Sequence, residues 1–511
     1  MRRLVSGLAA TALAVSAFWG PPAQAGKAND TLVWATDREN PITDSSYLNT
    51  RELVIIGTLI FDRLVDLADN YKPVPLLAES WKWENDTTLD LVIRKGVKFH
   101  SGKELDAEDV AYTLNFIVDP ANGSFNRSYL SWIKKAEVLD KHKVRLTMDK
   151  PFPTALTFLA GSGNILPKGH YEKAPARADG KKDFGAVPSD GTGPYKIAEL
   201  KPGQSLLMVR NEDYWAGSPK GKPPIGKILF RTIKDSNTRL AELMTGAIDW
   251  VWDVPKDEAE RLQRAPNLTI ENAKTLRISY LTMDATGRSP DKRFMDKRVR
   301  QALNHAINRK SLVDNLVGAP SQVIYSPCHP DQFGCSEDVT KYDYNPDKAK
   351  KLLAEAGHPN GFEFDLHAYR ERHITEAVIG DLVRVGLKPR LVYLQYGPLV
   401  QAIHKGQAAV INLTSGSSSI PDVSASTGHF FTGSPDDLAQ DKEVIATIQA
   451  ANGTIDPDKR ADLWHKALKR ISDEAYWVPM FTYAKFYAYS KNLDFKATSD
   501  EIPQFYKAKW K

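Results

Sequence analysis

Strand-like and helix-like patterns of apolar residues alternate along the whole chain. In "TLDLVIRKGVKF", apolar residues occupy every second position from Leu89 to Ile93, which predicts a β-strand with one buried face. The following "DAEDVAYTLNFIVDP" carries an apolar stripe at helical spacing, with Asp106 placed to cap the helix and Pro120 to stop it. This alternation, without long linkers or internal repeats, predicts an α/β protein built in several lobes.

Two later segments carry the same helical spacing. The segment "DKRVRQALNHAINRKSLVDNLVG" predicts a single helix that starts at Asp296 and ends at Gly318. In "NPDKAKKLLAEAG", Pro346 suits the first turn of a helix and Gly357 its C-terminal stop.

The N-terminal pattern predicts a secretory signal peptide over residues 1–25. Arg2 and Arg3 give it a positive start, a mostly apolar stretch reaches Trp19, and Ala23-Gln24-Ala25 offers a small-x-small cleavage site. The apolar stretch is too short to span about 30 Å of hydrocarbon, and no Cys stands near the cleavage site for lipid attachment. We therefore expect a protein released into the periplasm without a lipid anchor.

Length, charge and cysteines narrow the class of protein. With 511 residues the chain is too long for one compact core, so we expect two or three domains. Its formal net charge is +5, with acidic and basic residues interspersed and no basic tract for nucleic acid.

Cys328 and Cys335 are the only cysteines, and in an oxidising compartment they predict a structural disulfide. A metal pair with His329 is the alternative, although two Cys and one His make an incomplete zinc set.

No catalytic motif stands out in the sequence. The patterns G-x-S-x-G, H-E-x-x-H and the P-loop are absent, and the 11 histidines do not cluster at metal-ligand spacing. We therefore expect no enzyme, no cofactor and no metal site. A periplasmic hydrolase is the enzyme alternative.

Six segments, taken in chain order, carry a resemblance. They are "LLAESWKWENDTTLDLVIRKGVKFHSGKELDAEDVAYTLN" (76–115), "GTGPYKI" (191–197), "RNEDYWAGSP" (210–219), "TRLAELMTGAIDW" (238–250), "DKRVRQALNHAINR" (296–309) and "YNPDKAKKLLAEAG" (344–357). In this order they resemble the extracellular solute-binding proteins of bacterial peptide-type ABC importers (family 5), which include oligopeptide-, dipeptide-, nickel- and glutathione-binding proteins. The resemblance covers nearly the whole mature chain.

The resemblance implies a periplasmic-binding-protein type II fold, with two main lobes, a hinge and an inserted third region. Lobe I would comprise residues 26–55, 185–270 and 481–511, the inserted region residues 56–184, and lobe II residues 271–480. Two strand crossings would form the hinge, and closure of the lobes would bury the solute.

The resemblance also implies a function. The chain would be the substrate-binding component of an ABC importer, a monomer that captures a small polar solute, such as a peptide or a peptide-like or opine-type compound. It would deliver this solute to an inner-membrane permease driven by a cytoplasmic ATPase. A short glycoside, a metal chelate and haem are the alternative ligands.

The segment "SGSSSIPDVSASTGHFFTG", residues 415–433, is the first candidate for the solute site. In peptide-binding members of the family, the corresponding segment carries an aspartate that pairs with the solute's amino group. Alignment on its aromatic end places Ser419 at that position, Asp422 three residues later, and Ser417 and Ser418 just before. Serine hydroxyls are neutral donors and acceptors, so we expect a cleft loop in which the amine clamp is lost or moved. A flexible surface loop is the alternative interpretation.

Two other regions supply candidates. In dipeptide-binding relatives, an arginine near "HAYRERH" (367–373) pairs with the solute's carboxylate, and either Arg370 or Arg372 matches it. A guanidinium suits a carboxylate through two parallel hydrogen bonds. A solvated charge cluster with Glu371 is the alternative.

The remaining candidates follow two predicted strands. "WATDRENPITDSSY" offers Asp37, Arg38 and Tyr47 after the first strand, and "DWVWDVP" places Trp250 and Trp252 on one face of another. Tryptophan rings stack on solutes with a large buried area. Packing near the hinge explains the two tryptophans equally well.

Overall fold

The computed structural model describes residues 25–48, 50–415 and 420–511. The predicted signal peptide up to residue 24 and the candidates Ser417, Ser418 and Ser419 lie outside the described residues. Within the described ranges, no helix is both long enough and apolar enough to cross a membrane.

The β-strands range from two to 16 residues in length. In chain order they are β1 (Thr31–Thr36), β2 (Val65–Leu67), β3 (Pro73–Pro75), β4 (Ala78–Asn85), β5 (Thr88–Ile93), β6 (Lys135–Asp140), β7 (Lys143–Thr147), β8 (Tyr195–Lys201), β9 (Ser205–Arg210), β10 (Lys227–Thr232), β11 (Trp250–Val254), β12 (Leu268–Met283), β13 (Glu363–Ala368), β14 (Lys388–Tyr393), β15 (Val410–Ser415), β16 (Trp477–Ser490), β17 (Leu493–Asp494) and β18 (Lys509–Trp510).

The α-helices alternate with these strands. They are α1 (Arg51–Ile60), α2 (Ala107–Val118), α3 (Arg127–Leu130), α4 (Ala155–Gly161), α5 (Ser236–Thr245), α6 (Lys256–Leu262), α7 (Lys297–Ala306), α8 (Arg309–Leu312), α9 (Pro346–Glu355), α10 (Arg372–Arg384), α11 (Tyr396–His404), α12 (Lys442–Asn452) and α13 (Pro457–Asp473).

One large sheet organises the molecule, with strand order β14-β13-β15-β12-β16-β11-β1-β10-β9-β8. Its central strands β12 and β16 are long, 16 and 14 residues, and pair antiparallel. The strands β11, β1, β10, β9 and β8 lie on one side of this pair and form what we call the β1 half. The strands β15, β13 and β14 lie on the other side and form the β13 half. The two central strands therefore join the halves.

The pairing of the central strands is interrupted where the halves meet. The register of β12 against β16 shifts between Lys274 and Ile278. At the interruption, the buried Thr275 hydroxyl donates to the carbonyl oxygen of Tyr483 at 3.0 Å. An irregularity of this kind bends a strand locally, and here it lies where the two halves meet.

A second sheet, β4-β5-β7-β6, packs with α2 around an apolar core of its own. The predicted strand and helix are both found in this region, as β5 and α2. Asp106 caps α2 and forms a reciprocal capping box with Asp109. The domain boundaries implied by the resemblance stay a prediction.

The helix predicted from Asp296 to Gly318 is wrong in one respect, because it breaks near Ile307. The chain forms α7 and α8, followed by a π-helical turn over Val313–Val317. At the break, the Asn308 side chain accepts the backbone N–H of Ser311 at 3.0 Å and so starts α8. A capping side chain gives the backbone an alternative to a continuous helix, and this local competition outweighs the apolar spacing.

Candidate functional site

A cavity of about 680 Å³ lies where the two halves of the large sheet meet. Its walls and floor come from three sources. The β1 half, with α1 and α5, contributes Thr36, Asp37, Arg38, Thr50, Arg51, Glu52, Arg239, Trp252 and Asp253; the β13 half contributes Arg370, Glu371 and Thr414; the central strands contribute Arg277, Tyr483, Ala484 and Lys485. Of these described lining residues, six are basic and four acidic, so the cavity suits a charged or strongly polar solute.

The cavity forms at the carboxyl ends of strands in both halves. Asp37 follows β1, Trp252 lies near the end of β11, Arg370 follows β13, and Thr414 lies near the end of β15. The strand β1 is parallel to β11, and β13 is parallel to β15. Parallel strands bring their carboxyl ends to one edge, where open α/β sheets bind ligands.

A buried carboxylate behind the cavity holds three of its cations. Glu501 is 2 % exposed and lies 2.7 Å from Arg277 Nε, 3.1 Å from Lys485 Nζ and 3.8 Å from Arg51 Nη2. Burial works to raise the pKa of Glu501, but the charges of Lys485, Arg277 and Arg51 outweigh it and hold that pKa below its ordinary value. One anion thus orients basic groups from α1 and from both central strands.

Arg370 and Glu371, adjacent in the sequence, line the β13 side of the cavity. Glu371 has a left-handed backbone with φ 48°, and its carboxylate accepts a hydrogen bond from the Tyr483 hydroxyl on β16. Burial raises the pKa of Glu371, while the Tyr483 hydroxyl and the Arg370 charge act in the opposite direction. A left-handed conformation is costly for a non-glycine residue, and at Glu371 it accompanies a contact between the β13 half and a central strand.

Trp252 on β11 and Tyr483 on β16 are the aromatic residues that line the cavity among the described residues. The Lys485 ammonium lies over the Trp252 ring, 5.2 Å from its centroid, and also 3.5 Å from Asp253. This cation–π contact engages one face of the only tryptophan that lines the cavity among the described residues. The ring therefore supports a cation as well as forming a wall.

Of the predicted candidates that the structure describes, four line this cavity and four lie elsewhere. Asp37, Arg38, Trp252 and Arg370 line it. Arg372 points outward, where its Nε lies 2.7 Å from Glu376. Trp250 is fully buried among Trp34, Tyr487, Phe495 and Phe505, and Tyr47 packs against Tyr171 and Phe184.

Asp422 is buried and forms an internal ion pair. Its two carboxylate oxygens accept from the Arg460 guanidinium at 2.7 and 2.8 Å, and the backbone N–H of Ser424 donates to it at 2.9 Å. Asp422 does not line the cavity. The hydrogen bonds of Asp422 with Arg460 and Ser424 are internal to the fold, and a direct solute contact at this residue stays a prediction.

Residues 420–423, which follow the serine run (residues 417–419), are hydrogen-bonded to the disulfide loop (residues 328–335). Cys328 and Cys335 form the disulfide, with their Cα atoms 5.6 Å apart. Between them, the N–H of Phe333 donates to Pro421 O at 2.9 Å, and the N–H of Val423 donates to Phe333 O at 3.1 Å. The disulfide loop therefore fixes the backbone on the C-terminal side of the serine run.

Sequence reasoning missed the central-strand residues of the cavity. Arg277, Lys485 and their partner Glu501 were not among the candidates. A signal was present: each cation interrupts an otherwise largely apolar strand, "TLRISYLTM" or "FTYAKFYAY". A basic residue inside such a strand needs a partner when the strand is buried.

Two further features of the described residues bear on the type of site. Within the described residues, no group of three or more His, Cys, Asp or Glu side chains is arranged to hold a metal ion. A second cavity, of about 440 Å³, lies between segment 58–71, Ala160 and Gly161, and the C-terminal segment 494–509. No described residue of the β13 half lines that cavity, so it does not lie between the halves.

The sequence of most of the chain matches a known protein family. A family model described as bacterial extracellular solute-binding proteins, family 5 Middle, matches residues 72–437. The chain belongs to this family. Its members are solute-binding proteins that serve ABC importers.

Individual relatives are similar over most of their length. The chain is 27 % identical over 494 residues to heme-binding protein A of Haemophilus influenzae, covering 88 % of this chain and 87 % of that protein. It is 28 % identical over 456 residues to glutathione-binding protein GsiB of Salmonella paratyphi A, covering 86 % of each. The structure of HbpA2 from Haemophilus parasuis gives a TM-score of 0.80 at 24 % identity, covering 94 % of this chain and 100 % of that one, which shows the shared fold.

Proposed function

We propose that this chain is the periplasmic receptor of an ABC importer and that its solute is small, peptide-like and carries at least one carboxylate. The observation that carries the proposal is the cavity of about 680 Å³ whose walls come from both halves of the sheet. A solute held there contacts both halves at once. Its binding therefore favours the closed arrangement over the open one, as in hinge-type binding proteins.

Arg370 is the proposed partner of the solute's carboxylate. Among the described residues, its guanidinium forms no ion pair within 4.0 Å, although it lines the cavity. The neighbouring cations Arg277 and Lys485 already share Glu501. An arginine with unused donors binds a carboxylate through two charge-assisted hydrogen bonds.

Acidic residues on the opposite wall supply a partner for a positive group. Asp37 and Asp253 are exposed to the cavity from the β1 half. Asp253 forms an ion pair with Lys485, with 3.5 Å between Oδ1 and Nζ. Asp37 forms no ion pair with any described residue. A solute with an amine at one end and a carboxylate at the other would span the two halves. The relative named glutathione-binding protein, at 28 % identity, supports a peptide-like compound of this kind.

The alternative ligands fit this cavity less well. A glycoside needs aromatic faces for its rings, and Lys485 lies over the ring of the lining Trp252. Haem, which the name of heme-binding protein A suggests, needs broad apolar walls, whereas ten of the sixteen described lining residues are charged. The charged lining thus favours the peptide-like solute.

Location and partner follow from the proposed function. The predicted signal peptide would export the chain, and the receptor would present its solute to an inner-membrane permease. Such a receptor binds and releases its solute unchanged, so no residue is assigned a catalytic role.

The test is to identify a retained solute and then to measure its binding. Native mass spectrometry of protein exported by its own leader should show a small molecule bound with one-to-one stoichiometry. Adding back that molecule, glutathione or dipeptides to stripped protein should raise the melting temperature, because a ligand of the folded form stabilises it. Small-angle scattering should show contraction on binding. Stabilisation by neutral glycosides alone would contradict the proposed solute class.

A further inference from the structure

Asp249, immediately before β11, carries a buried carboxylate outside the cavity. The residue is 3 % exposed. Its Oδ2 accepts the backbone N–H of Val33 on β1 at 2.8 Å and the backbone N–H of Gly26 at 3.2 Å. Its own backbone pairs with Val33 on one side and Ser490 on the other. The carboxylate thus lies at the point where the N-terminal residues join β1 and β11.

This carboxylate has no cation within the described residues. None of their basic side chains forms an ion pair with it within 4.0 Å, and burial raises the pKa of Asp249 to about 7 against the two backbone donors. A buried carboxylate without a positive partner is destabilising for the fold. A positive group at this position would stabilise the ionised form of Asp249.

The nitrogen of Gly26 is the group closest to supplying that charge. As an amide it has one hydrogen, which it shares between Thr31 O at 2.9 Å and Asp249 Oδ2 at 3.2 Å. The predicted signal cleavage breaks the Ala25–Gly26 bond. Hydrolysis by a signal peptidase adds one water, leaving a carboxylate on Ala25 and an α-ammonium with three hydrogens on Gly26.

We propose that signal cleavage creates an ion pair between the new α-ammonium of Gly26 and the buried carboxylate of Asp249. The inference rests on the export step of the proposed function. The ion pair fastens the N-terminal end of β1, the strand that leads to Asp37 and Arg38 in the cavity. The uncleaved precursor lacks this pair and is the less stable form, so processing completes the fold.

Cleavage also removes some contacts of Ala25. The stability gained from the ion pair must exceed the stability lost with these contacts. Ala25 packs against the apolar cluster that contains Val33, and its carbonyl accepts from the Asn29 side chain at 3.3 Å. A half-buried alanine and an exposed hydrogen bond contribute little to stability. A charge-assisted pair in a buried site contributes more.

The first experiment measures the acidity of the new amine. The chain from Gly26 onward is expressed behind an extension that a protease removes to leave Gly26 as the first residue. The rate of α-amine acylation against pH should give a pKa of about 9 or above, compared with about 8 for an ordinary N-terminus. Asp249→Asn should return it to about 8. Asp213→Asn, which removes an exposed carboxylate of the same half, should leave it at the wild-type value. An ordinary pKa in the wild-type protein overturns the proposal.

The second experiment measures stability before and after release of Gly26. Removing the extension should raise the melting temperature of the wild type and of Asp213→Asn, but not that of Asp249→Asn. N-acetylation of Gly26 in the wild type should reverse the gain, which keeps the test decisive if Asp249→Asn folds poorly. No gain on release, or a gain that survives acetylation, overturns the ion pair. Peptide mapping of exported protein tests the cleavage site separately, and solute binding to the released protein tests the proposed function separately.

Discussion

Arg460 on α13 donates to both carboxylate oxygens of Asp422, at 2.7 and 2.8 Å, and each residue is 4 % exposed. The guanidinium also lies over the ring of Phe333 in the disulfide loop, 4.8 Å from its centroid. The one acid of the serine-rich segment thus connects that segment to a helix and to the disulfide loop.

Removing one partner of this pair should destabilise the protein strongly. Asp422→Ala leaves the buried Arg460 charge unpaired, for which we expect a loss of about 3–5 kcal/mol in the free energy of unfolding. Chemical denaturation followed by tryptophan fluorescence measures it. Glu376→Ala breaks the exposed pair with Arg372 and should cost no more than about 0.5 kcal/mol. Equal stability of the two variants would show that the buried pair is not structural.

The disulfide between Cys328 and Cys335 should also stabilise the protein and hold the segment around Asp422 in place. Replacing Cys328 and Cys335 together by Ala opens a loop of seven-residue separation, for which chain entropy gives about 2–3 kcal/mol. Because Phe333 is bonded to Pro421 and Val423, hydrogen exchange of the Val423 amide should quicken in this double variant. Unchanged exchange there would show that the loop does not hold the segment.

Local structure followed from the sequence more closely than the site did. The strand β5 and the capped helix α2 depend on residues within a few positions of each other, and both were predicted. Glu501, by contrast, contacts Arg277 across 224 positions, and no local pattern encodes such a contact. Arg370 and Arg372 are two residues apart, so their separation into cavity and surface depends on where α10 begins.

Glu501 should make the stability of the protein depend on pH in the acidic range. Its pKa in the folded state lies below the ordinary value of 4.5, so the folded form favours the ionised carboxylate. The resulting stability is fully present above pH 4.5 and is lost as the pH falls through the folded-state pKa. Glu501→Gln should lower stability at neutral pH and should show a shallower loss on acidification. Parallel stability–pH profiles for the two proteins, measured by denaturation, would contradict this role.

The two arginines of "HAYRERH" test the central claim, that the solute lies in the cavity between the halves with its carboxylate on Arg370. The measurement is titration calorimetry of the retained solute with the wild type, Arg370→Ala and Arg372→Ala. We predict that Arg370→Ala weakens binding by about 1.5–3 kcal/mol, whereas Arg372→Ala, which loses only a contact with Glu376, leaves the affinity unchanged. Equal affinities for all three proteins, or a loss confined to Arg372→Ala, would contradict the account.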